Sequence, residues 1–328
     1  MFARFRKYAS IRHFVQILFA MAVVYIGITF VMFVNQVASG VQPSISRPSG
    51  VEAFLPISAL VGLKAWVETG VFDPIHPAGL IILLAAIAVS LVLKRAFCSW
   101  ICPIGTLSEG LAMIGNSIFG RNFIVPKALD YLFRSFKYII LFFFIAGIFF
   151  GMSGTDAAVF LQTPYNMVSD VKMLKFMQHL GGFGMTVIGL LVILSIFYEN
   201  FWCRYLCPYG GFLGLFSMLS PFKVTRKQTT CIGCGKCTKS CPNHIKVELA
   251  DRVWSPECTG CLKCVQQCPV KETLTFKVTK GKRYLSPKTL AFSLLGMWAL
   301  FIIIAKFTGH WETHMTMDMY RGLIRALN

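Results

Sequence analysis

Charged residues are scarce in this chain, and acidic residues are the scarcest of them. Asp, Glu, Lys and Arg make up 14% of the 328 residues, whereas soluble domains contain about a quarter, and 55% of the residues are hydrophobic. This composition excludes an ordinary soluble protein and indicates an integral membrane protein with a small soluble part. The 32 Lys and Arg outnumber the 14 Asp and Glu, but they follow the loops of one side, so we expect no nucleic-acid partner.

Several cofactor motifs are absent from the sequence as well. There is no C-x-x-C-H sequence for covalently attached haem, and no pair of histidines within the apolar segments indicates a b-type haem. The sequence contains no phosphate-binding G-x-x-x-x-G-K-[ST] loop and no dinucleotide-binding glycine fingerprint.

Cysteine, by contrast, is concentrated in motifs. Eight of the 12 cysteines lie in two C-x2-C-x2-C-x3-C-P runs, CIGCGKCTKSCP from Cys231 and CTGCLKCVQQCP from Cys258. This is the spacing of bacterial ferredoxins that hold [4Fe–4S] clusters, and thiolate sulfur is the soft ligand that such clusters require. A zinc ribbon or a disulfide knot rarely repeats this spacing in tandem.

The spacing also assigns the ligands, because three thiolates of each run bind one cluster and the fourth binds the other. The first cluster is predicted to be held by Cys231, Cys234, Cys237 and Cys268. The second cluster is predicted to be held by Cys258, Cys261, Cys264 and Cys241. The proline after each fourth ligand turns the chain away from the cluster.

The remaining cysteines form a pair of C-x3-C-P motifs, Cys98 with Cys102 and Cys203 with Cys207. The motifs are offset by 105 residues, and each follows a short apolar piece and an apolar span, which predicts a parallel internal repeat. Two facing pairs would make a four-thiol site for a third iron–sulfur centre, a copper or zinc ion, or a pair of reversible disulfides. Four buried structural thiols are the alternative.

Apolar segments predict the membrane topology. About five transmembrane helices are expected, at residues 14–34, 78–93, 137–153, 181–197 and 290–305. Shorter apolar pieces, at 54–66 and 159–168, are expected to be interfacial or re-entrant. The fold class is thus an α-helical integral membrane protein with a small α+β domain of the bacterial 2[4Fe–4S] ferredoxin type. Its parts are a membrane domain at 1–220, the ferredoxin domain at 221–285, and the fifth helix with a short external tail at 286–328.

The distribution of Lys and Arg predicts the orientation. With these spans, 25 of them lie on the side that carries the cysteines and 7 lie on the other side. The positive-inside rule places the cysteine side in the cytoplasm, which is also the reducing compartment that thiols and clusters need. We expect a multi-pass protein of the bacterial cytoplasmic membrane, with its N-terminus and clusters in the cytoplasm and its C-terminus in the periplasm.

Histidines and basic residues give weaker signals. His76 lies at the outer end of the second span. A helix-capping or interfacial role is expected there in preference to contact with a quinone head group or a partner's haem. His310 and His314 occur as HWETH, which is not the H-E-x-x-H of zinc proteases, so a solvated tail is expected. Lys and Arg around the ferredoxin runs fit an acidic cytoplasmic electron donor or anionic lipid equally well.

The order of the motifs resembles that of a known family. CSWICPIGTLSE, CRYLCPYG and the two ferredoxin runs, separated by apolar spans, are similar to the membrane polyferredoxins of the NapH, NosR and CcoG group, in particular its YccM-type electron-transport proteins. The resemblance extends from about residue 50 to the last span. Residues 35–52 are too few for the external flavin-binding domain of NosR, and an immunoglobulin-like domain of the CcoG type is not expected.

The resemblance implies electron transfer between the cytoplasmic side or the quinone pool and an external respiratory system. NapH-like members serve a periplasmic reductase, and CcoG-like members are associated with copper reduction. We therefore expect an electron-transfer subunit with a periplasmic cytochrome, flavoprotein or reductase as its partner. The alternatives are an enzyme, either a quinol dehydrogenase or a cupric reductase that uses the C-x3-C-P thiols, and a redox sensor or assembly factor.

Overall fold

The computed structural model describes residues 11–278 and 284–326. The chain divides into two compact units, and the boundaries between them fall within long helices. The first unit comprises residues 1–20, 86–141 and 188–298. The second unit comprises residues 21–85, 142–187 and 299–328.

Helices form most of the described chain. In chain order they are α1 (Ile11–Ala38), α2 (Pro56–Thr69), α3 (Pro77–Leu93), α4 (Ala96–Trp100), α5 (Pro103–Phe119), α6 (Lys127–Ile145), α7 (Gly154–Leu161), α8 (Pro164–Met167), α9 (Ser169–Gln178), α10 (Gly182–Phe197), α11 (Pro208–Met218), α12 (Lys236–Lys239), α13 (Lys263–Gln266), α14 (Pro287–Phe307) and α15 (Met317–Ala326). Short 3₁₀ helices occur at Ser49–Phe54, Gln228–Thr230 and Val247–Leu249, and π-helical turns at Ala146–Phe150 and Trp202–Leu206. Strands β1 (Phe222–Arg226) and β2 (Leu274–Val278) pair in an antiparallel ribbon.

Within the described residues, three helices are long and apolar enough to cross a membrane: α1, α6 with the π turn that follows it, and α14. A fourth candidate is the pair α9 and α10, which is bent by 82° at its break. Helix α3 is apolar but has 17 residues, and its length of about 25 Å is less than the hydrocarbon thickness of about 30 Å. The expected span 78–93 therefore corresponds to the short helix α3. The expected span 181–197 corresponds to α10, which is one arm of the bent pair.

Helix α1 shows why such helices suit a bilayer. Its Phe14, Met21 and Tyr25 side chains are more than half exposed, which water disfavours and hydrocarbon accommodates. Its Arg12 behaves in the opposite way, because this residue is buried and donates to both carboxylate oxygens of Glu109, at 2.7 and 2.6 Å. The helix thus exposes apolar side chains and buries a charge-paired one.

Close backbone contact holds α5 against α10 in the first unit. A Cβ atom added at Gly115 would stand 1.8 Å from the carbonyl oxygen of Ile196, so only glycine allows this approach. Helix α5 begins at Pro103, the first-turn position that suits proline, and ends before Gly120, whose φ of +71° caps the helix. These features place the start of α5 directly after the first C-x3-C-P motif.

The second unit combines an apolar core with a buried ion network. The core contains Phe30, Phe33, Val34, Val37, Val51, Ile75, Val168, Val171, Met315, Tyr320 and Ile324. At the centre of the network, Arg47 donates to Glu52 Oε1 at 2.6 Å and to Asp170 Oδ2 at 2.9 Å. Tyr320 of α15 donates to Asp170 at 3.3 Å. The segment that was expected to be a solvated tail therefore contains a helix whose Tyr320 and Ile324 side chains are buried.

Candidate metal centres

The ferredoxin segment consists of two similar halves between β1 and β2. In each half a cysteine loop leads into a one-turn helix, α12 or α13. Gly233 and Gly260 occupy equivalent positions with φ of +67° and +61°, and Gly235 and Leu262 do so with φ of +68° and +59°. Left-handed residues at equivalent positions let both loops curl around a space in the same way.

One cavity in this segment is lined by Cys231, Cys234, Cys237 and Cys268. It contains three cysteines of the first run and the fourth of the second run, which is the set that the spacing predicts. Cys234, one of its lining residues, is exposed. The first cavity therefore faces solvent.

A second cavity is lined by Cys258, Cys261, Cys264 and Cys241, again the set that the spacing predicts. Cys241 and Cys264 are buried, and burial raises the pKa of the Cys241 thiol to about 12. A thiolate at this position therefore requires a cationic metal group to compensate its charge.

The donor sets of both cavities fit an iron–sulfur cluster. Among the described residues, no three Cys, His, Asp or Glu side chains converge on a point that a single metal ion would occupy. A tetrahedral zinc ion would need its thiolates at Zn–S distances of about 2.3 Å. Four thiols around one cavity suit a multi-iron cluster instead.

The two C-x3-C-P motifs share one backbone geometry. The N–H of Cys102 donates to the carbonyl oxygen of Phe97 at 2.9 Å, and the N–H of Cys207 donates to that of Trp202 at 3.0 Å. Both bonds span five residues, which is the π-helical pattern that often marks functional sites. Phe97 and Trp202 are also separated by the 105 residues that separate the motifs.

The second cysteine of each motif caps a helix. Cys102 and Cys207 have extended backbones, and the prolines that follow them begin α5 and α11. The sulfur of Cys207 accepts a hydrogen bond from the N–H of Gly210 at 3.3 Å. Burial raises the pKa of the Cys102 thiol to about 11, although the N–H of Gly105 opposes this effect. N–H groups at a helix start stabilise negative charge, but at both cysteines burial outweighs this effect and the pKa is raised.

All four motif cysteines lie within electrostatic reach of one another. Cys98 interacts with Cys102 and Cys207, and Cys203 interacts with the other three. Tyr209 is packed in the same group, because it interacts with Cys98, Cys102 and Cys207. The structure thus brings the four predicted residues together in the first unit.

The second cavity is joined to the first C-x3-C-P motif by hydrogen bonds. Trp100 Nε1 donates to the carbonyl oxygen of Gly260 at 3.2 Å, and the Ser99 hydroxyl donates to that of Thr259 at 2.7 Å. Trp100 and Ser99 lie between the two cysteines of the motif, and Thr259 and Gly260 lie between two ligands of the second cavity. The cluster loop is therefore seated directly on the motif.

Buried charges that the sequence analysis missed lie at this junction. Glu257 accepts hydrogen bonds from Lys137 Nζ at 2.6 and 2.7 Å and from the Tyr138 hydroxyl at 3.2 Å. Arg95 donates to the carbonyl oxygens of Gly210 at 2.7 Å and Glu257 at 2.9 Å. Their charged groups are buried. The sequence offered one signal for these charges, because Arg95 precedes Cys98 by three residues and Glu257 directly precedes Cys258.

The histidines that the sequence singled out have other surroundings. His76 belongs to the ion network of the second unit, where its Nε2 hydrogen-bonds to the carbonyl oxygen of Asn166 at 2.8 Å and its Nδ1 lies 3.7 Å from Glu52 Oε1. The ring of His310 packs edge-on against Phe72, with centroids 4.5 Å apart. Neither contact is that of a metal ligand.

Two families of iron–sulfur proteins match this chain. A family described as "4Fe-4S binding domain" matches residues 75–122 and again 180–227, and each match contains one C-x3-C-P motif. A family described as "4Fe-4S dicluster domain" matches residues 223–269, which contain both ferredoxin runs. No solved structure matches the chain.

Curated proteins extend the comparison. The "Putative electron transport protein YccM" of Escherichia coli (strain K12) is 40% identical over 325 residues, which cover 97% of this chain and 91% of that protein. "Protein NirI" of Paracoccus denitrificans is 30% identical over 58% of this chain and 27% of its own length. "Regulatory protein NosR" of Pseudomonas aeruginosa is 30% identical over 60% of this chain and 27% of its own length. With near-complete coverage by YccM and both 4Fe–4S family matches, the chain belongs to the YccM family of electron transport proteins and is an iron–sulfur protein related to NirI and NosR.

Proposed function

We propose that this protein is a membrane-bound electron-transfer subunit of the bacterial inner membrane. It passes electrons between a cytoplasmic donor or the quinone pool and a periplasmic respiratory partner. Two [4Fe–4S] clusters supply one-electron redox chemistry when bound. Their ligands are the four cysteines of the first cavity and the four cysteines of the second cavity.

One observation carries this proposal: the second cavity is seated on the first C-x3-C-P motif through Trp100 and Ser99. The cysteine sites then have an order. Cys234 of the first cavity is exposed to solvent, Cys264 of the second cavity is buried, and the loop of the second cavity contacts the first motif. An exposed first site suits an exchanging soluble donor, and a buried second site suits transfer within the protein.

The four motif thiols are best explained as a third iron–sulfur centre. Each motif lies in a segment that matches the family described as "4Fe-4S binding domain". None of the 12 cysteines forms a disulfide, and N–H groups at the helix starts lie near the sulfurs of Cys102 and Cys207. The recurrence of one family match at an offset of 105 residues supports equivalent roles for the two motifs.

The excess of Lys and Arg on the cysteine side supports the orientation. With 25 of these residues on that side and 7 on the other, the ferredoxin cavities face the cytoplasm. An external partner then receives or delivers electrons on the opposite face of the membrane.

Metal analysis of the full chain, purified without oxygen in detergent, tests the proposal. We expect about eight irons from the two ferredoxin sites, together with the irons of the third centre. A variant in which Cys98, Cys102, Cys203 and Cys207 are all replaced by Ser is expected to keep the first two EPR signals and to lose the third. A wild-type protein with far fewer than eight irons would contradict the proposal, and identical EPR spectra would remove the third centre.

The four thiols also support a second candidate, a cupric reductase, because thiolates are good ligands of Cu(I). The same four-cysteine variant separates the two functions. Loss of copper reduction by membranes in which electron transfer to the external partner continues would favour the enzyme. Loss of electron transfer, with no copper reduction in the wild type, would favour the carrier.

A further inference from the structure

Arg95 lies at the junction between the second cavity and the motif thiols. Its side chain is buried and interacts electrostatically with Cys98 of the motif and with Cys258 of the second cavity. Nη1 donates to the carbonyl oxygen of Gly210 at 2.7 Å, and Nη2 donates to that of Glu257 at 2.9 Å. Bonds to two separate chain segments hold the guanidinium between the two groups of thiols.

The charges around Arg95 do not cancel. Arg95 and Lys137 are both cations, and Glu257 is the anion that they share. Lys137 Nζ contacts both carboxylate oxygens at 2.6 and 2.7 Å, whereas Arg95 Nη2 is 3.4 Å from Oε2. The buried triad therefore has an excess of positive charge, which is unfavourable unless another anion lies nearby.

Arg95 also has an unused hydrogen-bond donor. Its Nε is buried and has no hydrogen-bond partner among the described residues. After Glu257, its strongest electrostatic neighbour is Cys98. A donor and a positive charge beside ligand sulfur are two of the features by which a protein adjusts an iron–sulfur potential.

We infer that Arg95 is a counter-ion shared by the second cluster and the four-thiol centre, and that it raises the reduction potential of both. The inference rests on the proposed function, because it requires both sites to be filled. Reduction adds one negative charge to a thiolate-bound centre, and a fixed cation stabilises that added charge. The reaction that Arg95 influences is the transfer of one electron between the two sites. No bond is formed or broken in this transfer.

Three single variants of the full chain test the inference by redox titration followed by EPR. Arg95→Gln removes the positive charge and is expected to lower both potentials by about 59 mV or more, which is a tenfold change in a one-electron equilibrium. Glu257→Gln removes the negative charge and is expected to raise both potentials. Arg95→Lys keeps the charge and is expected to change them little. The potential of the first cluster is expected to be unchanged in all three variants.

Arg226 provides the matched control, because it lines the first cavity and interacts with Cys231. Arg226→Gln is expected to lower the potential of the first cluster alone. Opposite shifts in Arg95→Gln and Glu257→Gln are not expected from a purely structural triad. Unchanged potentials in an Arg95→Gln protein with full iron content would overturn the inference.

The iron content of each variant distinguishes the remaining outcomes of the experiment. Loss of iron from all three triad variants, with Arg95→Lys among them, would assign a structural role to the triad and overturn the inference. If Arg95→Gln alone loses iron, the reduction potentials of Glu257→Gln decide the question. A rise in both potentials would support the inference, and a fall or no change would overturn it. Absence of the centres from the wild-type protein would contradict the proposed function itself.

Discussion

Gly105 packs directly against the carbonyl oxygen of Cys98, so that a Cβ atom at position 105 would stand 2.1 Å from that oxygen. Because Gly105 follows Cys102 by three residues, the contact closes the turn that contains both cysteines of the motif. It also brings the N–H of Gly105 toward Cys102. A side chain is thus excluded at a point that determines the position of two thiols.

Replacement of Gly105 by Ala is expected to displace the Cys98 backbone and to destabilise the protein by about 1–3 kcal/mol, as overpacking generally does. The melting temperature in detergent and the EPR signal of the four-thiol centre are the measurements. Gly110→Ala on the same helix is the control, because no described atom lies within 4 Å of the added Cβ. The control is expected to be neutral or stabilising by up to about 1 kcal/mol. Equal behaviour of the two variants would contradict the packing argument.

The crossed arrangement of the ferredoxin cysteines makes a second prediction. Cys268 lies in the second run but lines the first cavity, and Cys241 lies in the first run but lines the second cavity. Cys268→Ala is expected to alter or abolish the EPR signal of the solvent-exposed cluster and to leave the other cluster intact. Cys241→Ala is expected to do the reverse. The opposite pattern would show that each run binds its own cluster.

Arg47 provides a third prediction, on the stability of the second unit. Its guanidinium contacts two buried carboxylates, Glu52 and Asp170, and removing one partner of a buried ion group typically costs about 3–5 kcal/mol. Arg47→Met is therefore expected to lower the melting temperature strongly. Arg325→Met on α15 is the control, because Arg325 is exposed. A loss of stability no greater than that of the control would mean that the network contributes little.

A pH dependence is expected from His76. Burial opposes protonation of this imidazole, but the hydrogen bond and charge of Glu52 and the charge of Asp170 outweigh it, and the pKa of His76 is raised. Since the folded state binds this proton more tightly than the unfolded state, the stabilisation is complete below the ordinary pKa of about 6.5 and is lost as the pH rises through the folded-state pKa.

The measurement is the melting temperature of the wild type and of His76→Gln between pH 5 and 9. The difference between the two proteins is expected to shrink as the pH rises, because only the wild type loses the contribution of a charged imidazole. The charges of Arg47 and Asp73, which also interact with His76, are present in both proteins. A difference that is constant or grows with pH would contradict the assignment.

Local patterns in the sequence predicted how the cysteines are grouped. The spacing of the ferredoxin runs predicted two sets of four cysteines, and the structure places the same sets around two cavities. The proline after Cys102 and after Cys207 left a helix and a turn equally possible, and in the structure each proline begins a new helix. Ligand spacing and turn residues act over a few positions, so they are legible in a single sequence.

Contacts between distant parts of the chain could not be predicted from local patterns. Nothing local to Lys137 shows that it meets Glu257, which is 120 residues away, or that Arg47 meets Asp170, which is 123 residues away. The break between α9 and α10 and the burial of Tyr320 likewise depend on packing. Such charges were counted as loop charges because a sequence does not show which of them fold inward.

The sequence by itself thus predicted the chemistry of this protein, because thiolate spacing and apolar run length indicate iron–sulfur ligands and membrane helices. The tertiary structure decided the arrangement of that chemistry. It seated the loop of Thr259 and Gly260 on the motif of Ser99 and Trp100, and it placed Arg95 between two groups of thiols. The physical reason is that buried hydrogen bonds and charges need partners, and distant segments of the chain supply them only after folding.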